Sequence, residues 1–259
     1  MAEKPVALVT GAGSGIGKAS ALVLAGDGYV VGVLGHTEEE NRQTAEAIRA
    51  SGGQAEELLA DVTHEDEMKR AVAKMVDTYG RLDVVVANAG INGKWAPIDE
   101  LTPADWDKTI AVNLKGTYLT IHTVTPHMKS AKKGSIIVIA SINGTRTFTS
   151  PGATAYVATK AAEVAMVKQL ALELGKHGIR INAVCPGKIE TKIDDNTEVI
   201  NPQETAIPVE WPEGEIPLTG DKPGKAEDVA NTVAFLASSK AAHITGSPIW
   251  VDGGQSLLR

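Results

Sequence analysis

The sequence predicts an α/β protein, a single doubly wound domain with a mostly parallel seven-stranded sheet and helices on both faces. Three observations predict it. Short apolar runs alternate with longer amphipathic segments from residue 6 to residue 251. Alternation of this kind means parallel strands joined by right-handed crossovers. The apolar runs are built from Val, Ile, Leu and Ala, aromatic residues being only 4% of the chain, which suits strands buried on both faces. No linker, repeat or composition break divides the 259 residues, so 1–259 is expected to form one domain.

Val6–Val9 is the first strand. It runs into Thr10-Gly-Ala-Gly-Ser-Gly-Ile-Gly17, after which Ile16, Ala19, Leu22 and Val23 fall at helical spacing. Four glycines in seven residues cost chain entropy without a packing return, which speaks against a turn that binds nothing. No placement over Gly11, Gly13, Gly15 and Gly17 gives G-x-G-x-x-G; the pattern is G-x-x-x-G-x-G on Gly11, Gly15 and Gly17. The physics is the same. Absent side chains let a pyrophosphate approach the backbone at a helix N-terminus, where free N–H groups and the dipole favour anions.

A second strand, Val30–Leu34, ends in Gly35-His36-Thr37, and Thr37 with Glu40 is expected to form a capping box for a helix reaching about Ala50. The third strand, Glu56–Ala60, ends in Asp61-Val62. Thr63 is expected to cap the helix carrying Met68, Val72, Met75 and Val76, which Gly80 stops. The fourth strand, Leu82–Ala87, ends in Asn88-Ala89-Gly90. Thr102-Pro103 opens a helix with Pro at its first position, and Asn113 lies within its apolar stretch, a poor helix former that needs partners if buried. Strand five, Ser135–Ala140, ends in Ser141; strand six, Ile179–Val184, ends in Cys185-Pro186-Gly187. From Lys188 to Lys222 the pattern dissolves into Pro, Glu and Gly, a length that marks a functional or moving loop. A helix over Ala226–Ser238 and a strand over Pro248–Val251 complete the chain. Ligands of such sheets sit at the carboxyl ends of the strands, where Gly11, Asp61, Asn88, Ser141 and Pro186 all fall.

The helix beginning near Ala155 carries Tyr156 and Lys160, four apart and so on one face, about 6 Å along the axis. A phenol has a pKa of about 10 and is a poor proton donor or acceptor at neutral pH. An ammonium ~4 Å away at an effective dielectric of ~20 would favour the phenolate by ~4 kcal/mol, or ~3 pKa units. Such a Tyr exchanges protons with an alcohol or carbonyl near pH 7. Taken alone, such a pair is usually a packed ring beside a snorkelling amine, and the rest of the chain must decide.

Composition excludes several classes. A net charge of −7 argues against a nucleic-acid or anionic-membrane partner. One cysteine, Cys185, leaves no disulfide framework and no Cys-based zinc site. No apolar run suits a signal peptide or a membrane span, so a cytoplasmic protein is expected. His64, His122, His127, His177 and His243 are scattered, and the spacing of five between His122 and His127 is wrong for joint ligation, so no metal site is expected. Trp95, Trp106 and Trp250 read as packing; Trp211, in the Pro-rich loop, could fold over a substrate as that loop closes.

With these residues in hand, the chain resembles the short-chain dehydrogenase/reductase family, a Rossmann-type fold, over nearly its whole length. Thr10-Gly-x-x-x-Gly-x-Gly17 matches the family's cofactor turn, with Ser14 and Ile16 inside it. Asp61-Val62 matches the pair beside the adenine, and Asn88-Ala89-Gly90 the stretch lining the cofactor cleft. Asn113, Ser141, Tyr156 and Lys160 match the catalytic tetrad; Pro186-Gly187, with Ile189 and Thr191, matches the stretch beside the nicotinamide. The resemblance implies an NAD(P)(H)-dependent oxidoreductase acting on a secondary alcohol or ketone. Tyr156 would exchange the proton. Lys160 would lower its pKa and bond the nicotinamide ribose. Ser141 would orient the substrate oxygen, and Asn113 would hold a water linking Lys160 to solvent. A small-molecule substrate and a homotetramer or dimer are implied too, with the helix after Lys160 and the strand ending at Val251 as interfaces.

The chain departs from the family pattern in two places. The interval from Ser141 to Tyr156 is about two residues longer than expected, so Asn143–Phe148 would form an unusual wall beside the substrate, where Arg146 either meets an anionic group or is solvated. Gly35 stands where NAD-specific members carry an Asp for the ribose 2′-OH. His36-Thr37 follows, resembling phosphate-accepting members with His in place of Arg, while Ser14 stands where many of those carry a base. The expectation leans toward NADP(H) over NAD(H), with dual use open. Two other classes compete: a non-catalytic nucleotide-binding regulator, and a lyase, epimerase or dehalogenase on the same scaffold. Relatives of the latter kind often lose the glycine turn or alter the Tyr/Lys pair, and this chain keeps both. No pattern in the sequence encodes the substrate itself.

Overall fold

The computed structural model describes residues 4–191, 193, 197–206, 216–220 and 222–258. The first half winds as β1 (Val6–Thr10), α1 (Gly15–Gly26), β2 (Val30–Gly35), α2 (Glu38–Ala50), β3 (Gln54–Leu59), α3 (Glu65–Tyr79) and β4 (Val84–Ala87). A short β5 (Gly93–Trp95), α4 (Pro103–Thr109), a π-helical stretch over Ile110–Lys115, α5 (Gly116–Ala131) and β6 (Gly134–Ile139) follow. The last part holds α6 (Thr154–Gly175), β7 (Ile179–Pro186), β8 (Thr197–Val199), α7 (Pro202–Thr205), α8 (Ala226–Ala237) and β9 (Pro248–Val251).

Seven strands form one sheet in the order β3-β2-β1-β4-β6-β7-β9. Every pairing in it is parallel, as the alternation of strands and helices implies. The central strands β1, β4 and β6 are buried at every residue, as their unbroken apolar runs require. One apolar cluster joins α3, α5 and α6 to a face of the sheet through Met68, Met75, Val124, Met128, Val164 and Leu174. A second joins α1, α2 and α8 to the other face through Leu24, Ile48, Val233 and Leu236. The strand order reverses between β1 and β4, which opens a crevice above their carboxyl ends.

Several local expectations are corrected. Thr37 precedes α2, but its side chain makes no capping bond; the turn instead begins with Glu38, Glu39 and Glu40, whose charges favour a helix N-terminus. Thr63 does not cap α3 either. Its hydroxyl is drawn to Asp61 Oδ1 at 2.8 Å, and the helix starts one residue later with His64 at the N-cap. By contrast Thr102 accepts the Asp105 N–H, with Pro103 at the first helical position, and Gly80 ends α3 at φ 70°. The stretch that lacks a pattern in sequence carries β8, which pairs with β5, and the short α7; Trp211 lies outside the described residues.

Candidate active site

The crevice at the carboxyl rim is a cleft of about 790 Å³. Of the residues singled out from sequence, Gly11, Ser14, Gly15, Ile16, His36, Thr37, Asp61, Val62, Asn88, Ala89, Gly90, Ser141, Tyr156, Lys160, Pro186, Gly187, Ile189 and Thr191 all line it. Two do not. Gly17 is buried under the turn and Asn113 stands behind the wall.

The glycine turn works by close approach. Gly11 takes φ 62°, a left-handed value that favours glycine. A Cβ on Gly17 would stand 2.1 Å from the Gly11 carbonyl oxygen and 2.5 Å from Asn88 Nδ2, so α1 can enter the turn this tightly only without a side chain. Asn88 fixes the turn from β4: its Nδ2 donates to the carbonyls of Thr10 (2.9 Å) and Gly11 (3.2 Å), and its N–H donates to Thr10 Oγ1 (3.0 Å). The N-cap of α1, Ser14, makes no side-chain capping bond. The first amides of α1 are therefore not capped by that side chain, and the cradle fits the pyrophosphate of a dinucleotide. Thr191 closes the turn from the far side, its side chain 3.4 Å from where a Gly15 Cβ would be.

Asp61 lines the cleft beyond β3. Burial pushes its carboxyl up, but the Thr63 amide and hydroxyl, with help from His64 and His36, hold it below the usual carboxylate range. At the other end Ser141, 6% exposed, accepts the Asn143 N–H at 3.0 Å. Tyr156 is 9% exposed, and Lys160 Nζ lies 5.8 Å from its ring centre.

The ammonium is not committed to the phenol alone. Lys160 Nζ donates to the Ile139 carbonyl (2.9 Å) and to both oxygens of Glu163 (2.9 and 3.1 Å). Glu163 is fully buried and also accepts from Thr117 Oγ1 at 3.4 Å. Burial works against the Lys160 charge, yet the Glu163 carboxylate and the Tyr156 phenol hold the ammonium above its ordinary value. Glu163 is a residue that the sequence reading misses. The signal is present: it is three residues after Lys160, on the same face, where Val164 and Val167 mark the helix as buried.

Asn113 is buried behind the cleft wall. It sits in the π-helical stretch with its carboxamide turned to one backbone unit: Oδ1 accepts from Ile91 N–H (2.8 Å) and Nδ2 donates to the Ile91 carbonyl (2.9 Å) and Thr159 Oγ1 (3.2 Å). Gly90 separates it from Lys160, since a Cβ there would be 3.4 Å from Asn113 Oδ1 and 3.7 Å from Lys160 Nζ. Arg146 does not line the cleft: it is exposed, stacked 3.6 Å over the Trp250 ring and reaching Ser256. Asn143 does line the cleft, and so does Trp95, which in sequence reads as packing. Burial pushes the Cys185 thiol up to about 12, which leaves it un-ionised and inert. Among the described residues no His, Cys, Asp and Glu cluster could hold a metal ion, and no helix is long and apolar enough to cross a membrane.

Residues 11–256 match the protein family described as enoyl-(acyl carrier protein) reductase. The 3-oxoacyl-[acyl-carrier-protein] reductase FabG of Thermotoga maritima is 39% identical over 253 residues, 97% of this chain and 98% of that protein. A crystal structure of a 3-ketoacyl-ACP reductase from Sinorhizobium meliloti 1021 superposes with a TM-score of 0.95 at 62% identity, covering 98% of this chain and 100% of that one. A 3-ketoacyl-(acyl-carrier-protein) reductase from Brucella melitensis complexed with NADH superposes with a TM-score of 0.85 at 31% identity, covering 98% and 99%. Neither a regulator nor a lyase finds support among these likenesses. The cradle for a dinucleotide, the Ser, Tyr and Lys at one end of it, and these relatives agree: the chain belongs to the short-chain dehydrogenase/reductase family, NAD(P)(H)-dependent oxidoreductases acting on ketones and secondary alcohols.

Proposed function

We propose that this protein reduces the ketone of a 3-oxoacyl thioester to the 3-hydroxyacyl thioester. One observation carries the reading: Ser141, Tyr156 and Lys160 line the same cleft as the glycine turn, across which a dinucleotide must lie. When bound, NAD(P)H supplies a hydride to the carbonyl carbon. The chain's own residues manage the oxygen. The hydroxyls of Ser141 and Tyr156 bond it, and Tyr156 gives its proton to the developing alkoxide. Lys160 would bond the nicotinamide ribose and support the phenolate left behind. Asn113 positions Ile91 and Gly90 beside Lys160; a water held there would return the proton from solvent. Pro186, Gly187, Ile189 and Thr191 would hold the nicotinamide end, and Asp61 and Val62 the adenine.

The relatives named for 3-oxoacyl thioesters supply the substrate class, while the matching family carries the name of an enoyl reductase. Ketone reduction suits the site better, because the hydroxyls of Ser141 and Tyr156 both line the cleft and would serve a carbonyl oxygen, whereas reduction of an enoyl double bond protonates carbon. Mixing the protein with NADH or NADPH and following absorbance at 340 nm separates them. Turnover of a 3-oxoacyl thioester, and none of the matching 2-enoyl thioester, is expected. Turnover of the enoyl thioester alone, or only of ketones that carry no thioester, would overturn the assignment.

At the adenosine end, His36 and Thr37 line the cleft as the NADP(H) expectation requires, but α2 opens there on Glu38, Glu39 and Glu40. We also expect a cytoplasmic homo-oligomer. Leu172 on α6 is 81% exposed and would be covered by a second copy, and a solution mass equal to one chain would count against it.

A further inference from the structure

Glu40 stands in the first turn of α2 and lines the adenosine end of the cleft. This end would meet the adenosine ribose of the proposed cofactor, and any preference between the cofactor's two forms rests on that proposal. Dinucleotide sites commonly place an acid near the end of the second strand, where it accepts a hydrogen bond from the ribose 2′-OH. Gly35 holds that place here, and packing keeps it bare: a Cβ would stand 2.6 Å from Asn41 Oδ1. Asn41 is 2% exposed, and its Nδ2 donates to the carbonyls of Gly35 (2.9 Å) and Leu58 (3.2 Å), so it cannot yield without losing both bonds.

The carboxylate missing from the strand end is supplied by the helix. A Cβ built on Gly13 would stand 2.6 Å from Glu40 Cβ and 3.0 Å from Glu40 Oε2, which places this side chain directly against the glycine turn. Thr44, one turn on, donates to the Gly13 carbonyl at 3.3 Å and fastens α2 there. Asn41 does not take this part itself. Asn41 Oδ1 is buried, belongs to a cleft-lining residue, and has no hydrogen-bond partner among the described residues. That oxygen is closed off beneath Gly35, so the acceptor that α2 offers to the cleft is the Glu40 carboxylate. A ribose 2′-hydroxyl donates a hydrogen bond; a 2′-phosphate offers only acceptor oxygens and close to two negative charges. Among the cleft-lining side chains at this end His36 alone can become cationic, against the carboxylates of Glu40 and Asp61, while Arg42 is already paired with Glu39.

We infer that Glu40 makes NAD(H) the preferred form of the cofactor, against the expectation drawn from Gly35, His36 and Thr37. Glu40 does for the 2′ position what a strand-end acid does elsewhere, from a different element.

The test is a titration of the whole protein with NADH and with NADPH, read by the fluorescence of the bound nicotinamide, so that no turnover is needed. Wild type should bind NADH at least about tenfold more tightly, an advantage that shrinks as salt screens the repulsion. Glu40→Gln keeps the packing against Gly13 and removes the charge. It should narrow the ratio by about tenfold, chiefly by tightening NADPH. Tighter NADPH binding by wild type, or a ratio unchanged in Glu40→Gln, would overturn the inference and leave the cofactor assignment standing. Failure of wild type to bind either nucleotide would overturn both.

Discussion

The two rims of the sheet each carry a carboxylate held by cations, and they are built for different ends. At the amino rim Asp83, just before β4, accepts from Arg81 Nε and Nη2 (both 2.8 Å), from Lys133 (3.1 Å) and from the Val6 N–H (3.0 Å). Its partners reach into water, the Lys133 side chain being 68% exposed. The network ties together the starts of β1, β4 and β6. At the carboxyl rim the Lys160 and Glu163 side chains are 6% and 1% exposed, and only Lys160 meets the cleft. A buried ion pair is weak evidence for stability, since apolar residues of the same volume often do as well. Charge kept in the dry at the rim where ligands bind, and charge left wet at the opposite rim, separate chemistry from scaffolding within one sheet.

The largest effect should come from the carboxyl rim. Tyr156→Phe keeps the ring and removes the proton. Turnover should fall by ~10²–10⁴ or more, while NADH binding, read by nucleotide fluorescence, stays within a few-fold of wild type. Activity within tenfold of wild type would break the contrast between the rims, because the proton would then come from elsewhere.

Next in size is the ion pair itself. Glu163→Gln leaves a buried ammonium without its counter-charge and should cost about 3–5 kcal/mol in urea unfolding. Lys160→Met combined with Glu163→Leu removes both charges and should recover most of that stability while staying inactive. A double variant that unfolds as easily as the single one would mean that the pair is scaffolding after all, like the network around Asp83.

Legibility in the sequence divides along the same line. Backbone requirements are written locally. The glycine turn, the strand ends at Asp61, Asn88 and Ser141, and the four-residue step from Tyr156 to Lys160 depend on residues adjacent in sequence or in register, and the structure brings them to one cleft. The illegible part depends on contacts across the fold. Glu163 looks like a surface acid until Thr117 and the sheet close over it. Arg146 looks free until Trp250, more than a hundred residues on, comes beneath it. The caps at Thr37 and Thr63 fit a rule of sequence, yet Asp61 competes for the Thr63 hydroxyl and wins by geometry. Glu40 reads as part of a capping box until Gly13 is seen against it.

The smallest effect belongs to the amino rim, and its sign with pH distinguishes it. Burial pushes the Asp83 carboxyl up, but the bonds from Arg81, the Val6 N–H and Lys133 outweigh burial and hold it below the usual carboxylate range. A group depressed in the folded state contributes stability that is fully present above its unfolded pKa of about 3.9 and is lost as pH falls through the lower, folded value. Asp83→Asn should therefore be less stable than wild type at pH 7 by about 1–2 kcal/mol, a figure reduced for the exposure of Lys133. The two proteins should differ equally at pH 7 and pH 5.5 and converge only below about pH 4. Urea midpoints across that range measure it, with turnover at pH 7 unchanged because Asp83 is at the rim opposite the cleft. A gap that persists undiminished to pH 3 would show that the carboxylate's charge contributes nothing beyond its hydrogen-bonded shape, and a fall in turnover would join the two rims that the sheet otherwise keeps apart.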